Sequence, residues 1–188
     1  PKDILTELLK NEDSLHLPHE IILKEIAFFL LAGAHTSATA FVRTIDNLFN
    51  WLQKHPEDAV LITNDKSFVQ RSMFETIRLN PSSPTAMRRA LSDITLKSGT
   101  TVPKNSTVTI DLMSINRSQE IFGKDANEFD PHRKVANPNV AAWGLSFGHG
   151  MHSCIGQELA AGLSERSEES SDYEFGLATV AVQAMFDR

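Results

Sequence analysis

The sequence predicts a mostly α-helical protein with a small β region, and three features of its pattern carry that expectation. Apolar residues follow a 3.6-residue period over residues 18–53 and return to it over 65–79. Two short runs, 94–96 and 107–110, alternate as β-strands do. Between 117 and 150 the periodicity is lost, and Gly, Pro, Asn and His accumulate over a stretch longer than structureless loops usually run. A stretch of that kind usually carries function or wraps a ligand.

The elements follow in chain order. Ile4, Leu5, Leu8 and Leu9 place the start of the chain inside a helical pattern. The longest candidate helix, 18–53, sets Ile22, Ile26, Phe29, Leu30, Ala34, Phe41, Ile45, Leu48 and Leu52 on its period. Over 26–34 it is apolar on every side, which predicts passage through a core. Shorter helices are expected at 56–62 and 65–79, the second stopped by Asn80 and Pro81 with Pro84 following. Ser98-Gly99 and Pro103-Lys104-Asn105 supply turn chemistry between the two β runs, which read as one small sheet beside a helical body. Helical character returns after Cys154 at 157–163 and breaks at the polar stretch 164–174, read as a solvated loop. It resumes over 175–186.

Composition narrows the function. The chain has 188 residues, 41% hydrophobic and 22% charged, with 18 Lys plus Arg against 24 Asp plus Glu and a net charge of −6. Such a chain is an ordinary globular domain, and its mild acidity argues against nucleic acid or an anionic membrane as partner. Its one cysteine excludes an internal disulfide and a Cys-rich zinc site. The longest uninterrupted apolar run, 26–34, is half of the roughly 20 residues a membrane span needs, so no membrane segment is expected. His16, His19, His55, His132 and His149 form no paired metal-ligand spacing and read as surface or loop residues.

The most informative string is Phe147-Gly148-His149-Gly150-Met151-His152-Ser153-Cys154-Ile155-Gly156. Its three glycines permit positive φ and close backbone approach, so the loop can fold tightly around one atom, such as the Cys154 sulfur. Helical pattern just beyond it favours thiolate through the dipole and the unpaired N–H groups. A lone cysteine is more often an inert buried thiol. A Cys-His hydrolase on Cys154 and His152 is disfavoured, because residues two apart do not automatically face each other and no orienting third group is evident.

This string resembles the cysteine-ligand loop of the cytochrome P-450 superfamily, haem-thiolate monooxygenases with the pattern Phe-Gly-x-Gly-x-His-x-Cys-x-Gly. Every defined position is matched. Three further segments are similar to family motifs, in the family's order. Glu75-Thr76-Ile77-Arg78 alone would be a surface pair at i and i+3, but it looks like the family's Glu-x-x-Arg. Phe129-Asp130-Pro131-His132-Arg133 is similar to its aromatic-Pro-x-Arg. Ala32-Gly33-Ala34-His35-Thr36-Ser37 alone would be packing by small residues; it resembles the oxygen-activation motif, with His35 where the family has Asp or Glu.

The resemblance implies a partial P-450 fold: a long central helix, the Glu-x-x-Arg helix, a small sheet, a meander and the cysteine-ligand loop. It makes residues 1–188 the C-terminal part of a single haem-thiolate catalytic domain, without the N-terminal half and the closing β segments. Beyond Gly156 the chain departs from the family, where Leu-Ala-Arg continues into one long helix; here Leu159-Ala160-Ala161 leads to the polar stretch. Cys154 is then the axial ligand of iron in haem b (iron protoporphyrin IX). Phe147 lies beside the sulfur, Gly148, Gly150 and Gly156 shape the loop, His152 and Arg88 bind propionates, and Ala32 and Gly33 let haem and dioxygen approach. A buried Glu75, Arg78 and Arg133 network supports the scaffold. Ser82, Ser83, Pro84 and Thr85 border the substrate pocket.

Thr36, whose hydroxyl can bond the carbonyl of Ala32 or Gly33, and His35 are the expected catalytic residues. Imidazole can shuttle protons near neutral pH, although burial in an apolar helix would disfavour its charged form. The implied activity is insertion of one oxygen atom of O2 into a small apolar organic substrate, with electrons from NAD(P)H delivered by a ferredoxin or flavin reductase. A bacterial-type, cytoplasmic monomer is expected. The alternatives are a haem-thiolate enzyme that uses peroxide or rearranges an oxygenated substrate, and a non-catalytic fragment that does not retain haem.

Overall fold

The computed structural model describes residues 3–162 and 175–186. The polar stretch 164–174 lies outside them, as does the last position of the helix expected at 157–163. The chain divides into two compact units between Thr39 and Ala40.

The first unit begins with α1 (Ile4–Lys10), which starts where the Asp3 carboxylate accepts the Thr6 N–H at 2.7 Å. The first 21 residues of α2 (His19–Lys54) complete it. Ile22 is buried, but Phe28, Leu30 and Leu31 are exposed, Leu31 at 76%. The expected passage of 26–34 through a core is therefore corrected. A helix that is apolar all round needs partners on every side, and within this unit the seven-residue α1 is the only other helix. His35 is exposed as well, so its expected burial is corrected. Among the described residues α2 alone is long and apolar enough to cross a membrane by length and composition, a property that the core helix of a soluble protein shares. Polar residues interrupt its apolar runs without lowering the average of an 18-residue window, which is what a count of uninterrupted residues misses.

The second unit is built around α4 (Lys66–Leu79). Asp65 caps it by accepting the Ser67 N–H at 2.9 Å, and Asn80 ends it ahead of Pro81. From Phe68 to Leu79 every residue except Arg71 is buried. Before it come residues 40–54 of α2, a 3-10 turn at Pro56–Asp58 and α3 (Ala59–Asn64), so the helix expected at 56–62 starts as 3-10 and runs two residues further. Leu48, Ile62, Phe68, Val69 and Val182 form one apolar cluster. Ala40, Met73, Phe74, Ile77, Trp143, Ala161 and Ala178 form another, with Phe147 packed against it. Both clusters draw on α4 and on α8 (Leu177–Phe186). Phe175 bridges Gly162 in antiparallel fashion, and a side chain at Gly176 would run into the backbone of Ala161 and Gly162. The chain thus returns after the polar stretch to the end of α7 (Gln157–Ala161).

The β region differs from the single sheet expected. β1 (Thr85–Arg89) pairs with β4 (Thr107–Asp111), and β2 (Ile94–Thr95) pairs with β3 (Thr101–Val102), giving two antiparallel pairs. β1 was missed because Thr85-Ala86-Met87-Arg88-Arg89 has no apolar alternation; β4 supplies its ladder. The stretch 117–150 holds only α6 (Gln119–Phe122), just after α5 (Leu112–Ile115), and is otherwise turns and loops.

Candidate functional site: the cysteine loop and its buried ion network

In the second unit α4 presents Glu75 and Arg78 one turn apart, and both are buried, Arg78 completely. Arg78 forms a two-point pair with Glu75, Nε to Oε2 and Nη2 to Oε1, both at 2.6 Å. Its Nη1 donates to the carbonyls of Asn116 at 2.6 Å and Ala126 at 2.8 Å, and the Phe122 ring lies 4.9 Å from the guanidinium carbon. Arg133 Nε donates to Glu75 Oε1 at 2.9 Å, and Nη1 reaches Asp125 Oδ1 at 2.8 Å and the Phe122 carbonyl at 2.6 Å. Burial alone would lower the Arg133 pKa, but the bonds it donates to Asp125 and Glu75 outweigh it and hold the guanidinium above its ordinary value. Asp125 is held below the usual carboxylate range by its hydrogen bond from Arg133. Three charged residues from α4 and the aperiodic stretch thus share one satisfied polar core.

The cysteine loop lies in the same unit. Phe147 packs edge-to-face on Trp143, which packs on Phe74 of α4, with ring centroids 5.6 and 4.9 Å apart. The Cys154 N–H returns to the Phe147 carbonyl at 2.7 Å, closing the loop, and leaves Cys154 exposed with a free thiol. Gly148 has φ +71° and Gly150 φ +68°; a Cβ at Gly148 would come within 2.9 Å of the His152 carbonyl. Those two glycines provide the left-handed turns. Gly156 does not: at φ −92° it is the residue before α7 and needs no positive φ. His152 ends a 3-10 turn at Gly150–His152 and is exposed.

Arg88 is exposed on β1, where its Nη1 meets only the adjacent Met87 carbonyl, at 2.8 Å. Ser82, Ser83, Pro84 and Thr85 are exposed too. None of them lines the cleft of about 420 Å³ beside the cysteine loop, whose walls include Asn139, Val140, Leu145, His149, Ser153 and Gln157. In the first unit the Thr36 hydroxyl donates to the Ala32 carbonyl at 2.6 Å, and a Cβ at Gly33 would meet nothing.

Two groups of residues carry no signal in the sequence. Asn116 and Ser146 are tied to each other and to α4, yet Ser146 sits in the stretch without periodicity and Asn116 immediately before it. Asp58 accepts from Trp51 Nε1 at 2.7 Å and pairs with His132 Nε2 at 2.8 Å across 74 positions. Burial raises the Asp58 pKa, but those two hydrogen bonds more than offset it, and the carboxyl lies below the usual range. His132 is a surface loop residue, as expected, and its imidazole is engaged by Asp58.

Comparison with known proteins agrees with this construction. The cytochrome P450 family model matches residues 64–162, just over half of the chain. Cyclomarin C epoxidase CymV of Salinispora arenicola is 30% identical over 188 residues, covering 99% of this chain and 41% of its own length. The vitamin D(3) 25-hydroxylase of Pseudonocardia autotrophica is 30% identical over 160 residues, covering 84% of this chain and 37% of its own. The crystal structure of Mycobacterium smegmatis CYP164A2 with econazole bound superposes with a TM-score of 0.70 at 28% identity, over 98% of this chain and 40% of that one. The chain thus spans about two fifths of the length of the relatives it matches. Because the matched span contains both the buried Glu75–Arg78–Arg133 network and the Cys154 loop that packs beside it, the chain belongs to the cytochrome P450 family, whose members carry haem.

Proposed function

We propose that the chain is the C-terminal part of a single haem-thiolate catalytic domain. The whole enzyme would insert one oxygen atom of O2 into a small apolar organic substrate, with electrons from NAD(P)H passed through a ferredoxin or flavin reductase. One observation carries the reading: the single thiol, Cys154, is exposed at the end of a loop held by its own backbone bond to Phe147 and turned by Gly148 and Gly150. A lone accessible thiol would suit haem iron as a ligand, and exposed hydrogen-bond donors at His152 and Arg88 would suit the two propionates of haem b. The donor set therefore fits the group. When bound, haem supplies the electron-accepting and oxygen-activating chemistry.

The chain's own residues do the rest. Cys154 donates its sulfur, and the Trp143–Phe147 contact keeps the loop in place beside it. Ala32 and Gly33 leave the α2 backbone without bulk, and the Thr36 hydroxyl donates to the Ala32 carbonyl. His35 stands where the motif it resembles has Asp or Glu, and its exposed imidazole can pass a proton from water. Ser82, Ser83, Pro84 and Thr85 would line the substrate side. We take the whole enzyme to be a cytoplasmic monomer, as the resemblance to the bacterial-type members of the family implies.

The test is optical. Haem is titrated into the protein, which is then reduced and exposed to carbon monoxide. The expected result is a thiolate-type absorption band that Cys154→Ser abolishes. A band that survives in Cys154→Ser, or its absence from the wild-type protein, overturns the assignment. His35 favours a second reading, direct use of peroxide, and product formation without any electron donor would select it.

A further inference from the structure

We propose that Asn116 is the positioning residue of the Cys154 loop, the buried side chain that, together with Ser146, bolts the loop to the end of α4. Its functional meaning rests on the haem-thiolate reading of Cys154, but the geometry stands without it. Asn116 is completely buried, so each polar atom of its amide needs a partner, and each has one. Oδ1 accepts the Leu145 N–H at 2.8 Å. Nδ2 donates to the Arg78 carbonyl at 3.0 Å and to Ser146 Oγ at 2.9 Å. The Ser146 hydroxyl in turn lies 2.7 Å from the Ile77 carbonyl and 2.8 Å from that of Trp143.

These partners lie on two bodies that no other side-chain amide joins among the described hydrogen bonds. Ile77 and Arg78 belong to the last turn of α4, whose carbonyls have no acceptor role left within the helix. Leu145 and Ser146 belong to the segment that runs directly into the cysteine loop. From there two backbone bonds reach the thiol-bearing residue: Gly148 N–H to the Leu145 carbonyl at 2.9 Å and Cys154 N–H to the Phe147 carbonyl at 2.7 Å. Backbone contacts complete the clamp, because the Asn116 carbonyl accepts from Arg78 Nη1 at 2.6 Å. Gly144, at φ +62°, lies so close that any side chain there would collide with the Asn116 amide. Asn116 therefore links the buried ion network to the cysteine loop, its backbone carbonyl held by Arg78 and its side chain holding the loop, while Ser146 adds a bond of its own to Ile77.

Hydrogen–deuterium exchange on the protein tests this without haem. In Asn116→Ala the Gly148 and Cys154 amides should exchange at least tenfold faster, while α4 amides from Val69 to Glu75 stay within threefold of wild type. Unchanged loop exchange, or acceleration that is uniform over the unit, overturns the proposal, as does an absence of protection at those two amides in the wild type. If Asn116→Ala loses protection everywhere, Ser146→Ala decides, since it removes one partner and leaves Asn116 in place: loop-selective acceleration supports the proposal, and any other pattern overturns it. The carbon monoxide spectrum of Cys154→Ser tests the haem reading separately. A missing thiolate band in wild type with loop-selective exchange in Asn116→Ala would remove the haem reading and leave the positioning role intact.

Discussion

α4 carries Gln70, Ser72, Glu75, Thr76 and Arg78 on a helix that is buried almost throughout. The first part of α2 carries Phe28, Leu30 and Leu31, and all three face solvent. By hydropathy the order should be reversed. The difference teaches that burial follows the supply of partners. In α4 the packed clusters cover Phe68, Met73 and Phe74, and Glu75 and Arg78 have ionic or carbonyl partners for their charged atoms, which makes their desolvation tolerable. In the first unit a seven-residue helix is the only other element beside α2, and apolar surface without a partner stays in water however hydrophobic it is.

The strongest way to break this comparison is to remove a partner from α4. Arg78→Ala would leave Glu75 with Arg133 and the Asp130 N–H, and the Asn116 and Ala126 carbonyls short of a donor. A loss of about 3–5 kcal/mol is expected, read as a shift of the urea midpoint at unchanged slope. A loss under about 1 kcal/mol would mean that the network contributes little and that the apolar clusters alone hold α4.

A smaller effect is expected at Asp58, where a half-exposed histidine and a tryptophan serve one carboxylate. Asp58→Asn should cost about 1 kcal/mol at pH 7. The sign with pH follows from the depressed carboxyl: its folded pKa lies below the unfolded one, so its contribution is fully present above the ordinary carboxylate value of about 4. It is lost as pH falls through the lower folded value. Chemical denaturation of both proteins between pH 7 and 2.5 should show the gap closing only below about pH 4. A gap that is constant across that range would assign the effect to packing.

The least effect is expected in the apolar stretch of α2. Leu31→Gln, at a position 76% exposed, should change unfolding free energy by no more than about 0.5 kcal/mol and should reduce self-association, measured by light scattering against concentration. A cost above about 1.5 kcal/mol would show that Leu31 has a partner in the folded chain and would sharpen the comparison against us.

What could be read along the chain was whatever chemistry is local. The string from Phe147 to Gly156, the Glu75 and Arg78 spacing and the helical periods at 18–53 and 65–79 are contained in runs of a few turns, where residue type and spacing decide backbone and function together. The tertiary structure alone decided that Arg78 meets Asn116 and Ala126, that Glu75 meets Arg133 across 58 positions, that Thr85–Arg89 is a strand, and that α2 leaves its most apolar stretch uncovered. Each of these depends on a partner tens of residues away or on the lack of one. Local spacing carries no information about such partners, because a side chain's periodicity records which face it shares and not what that face will meet.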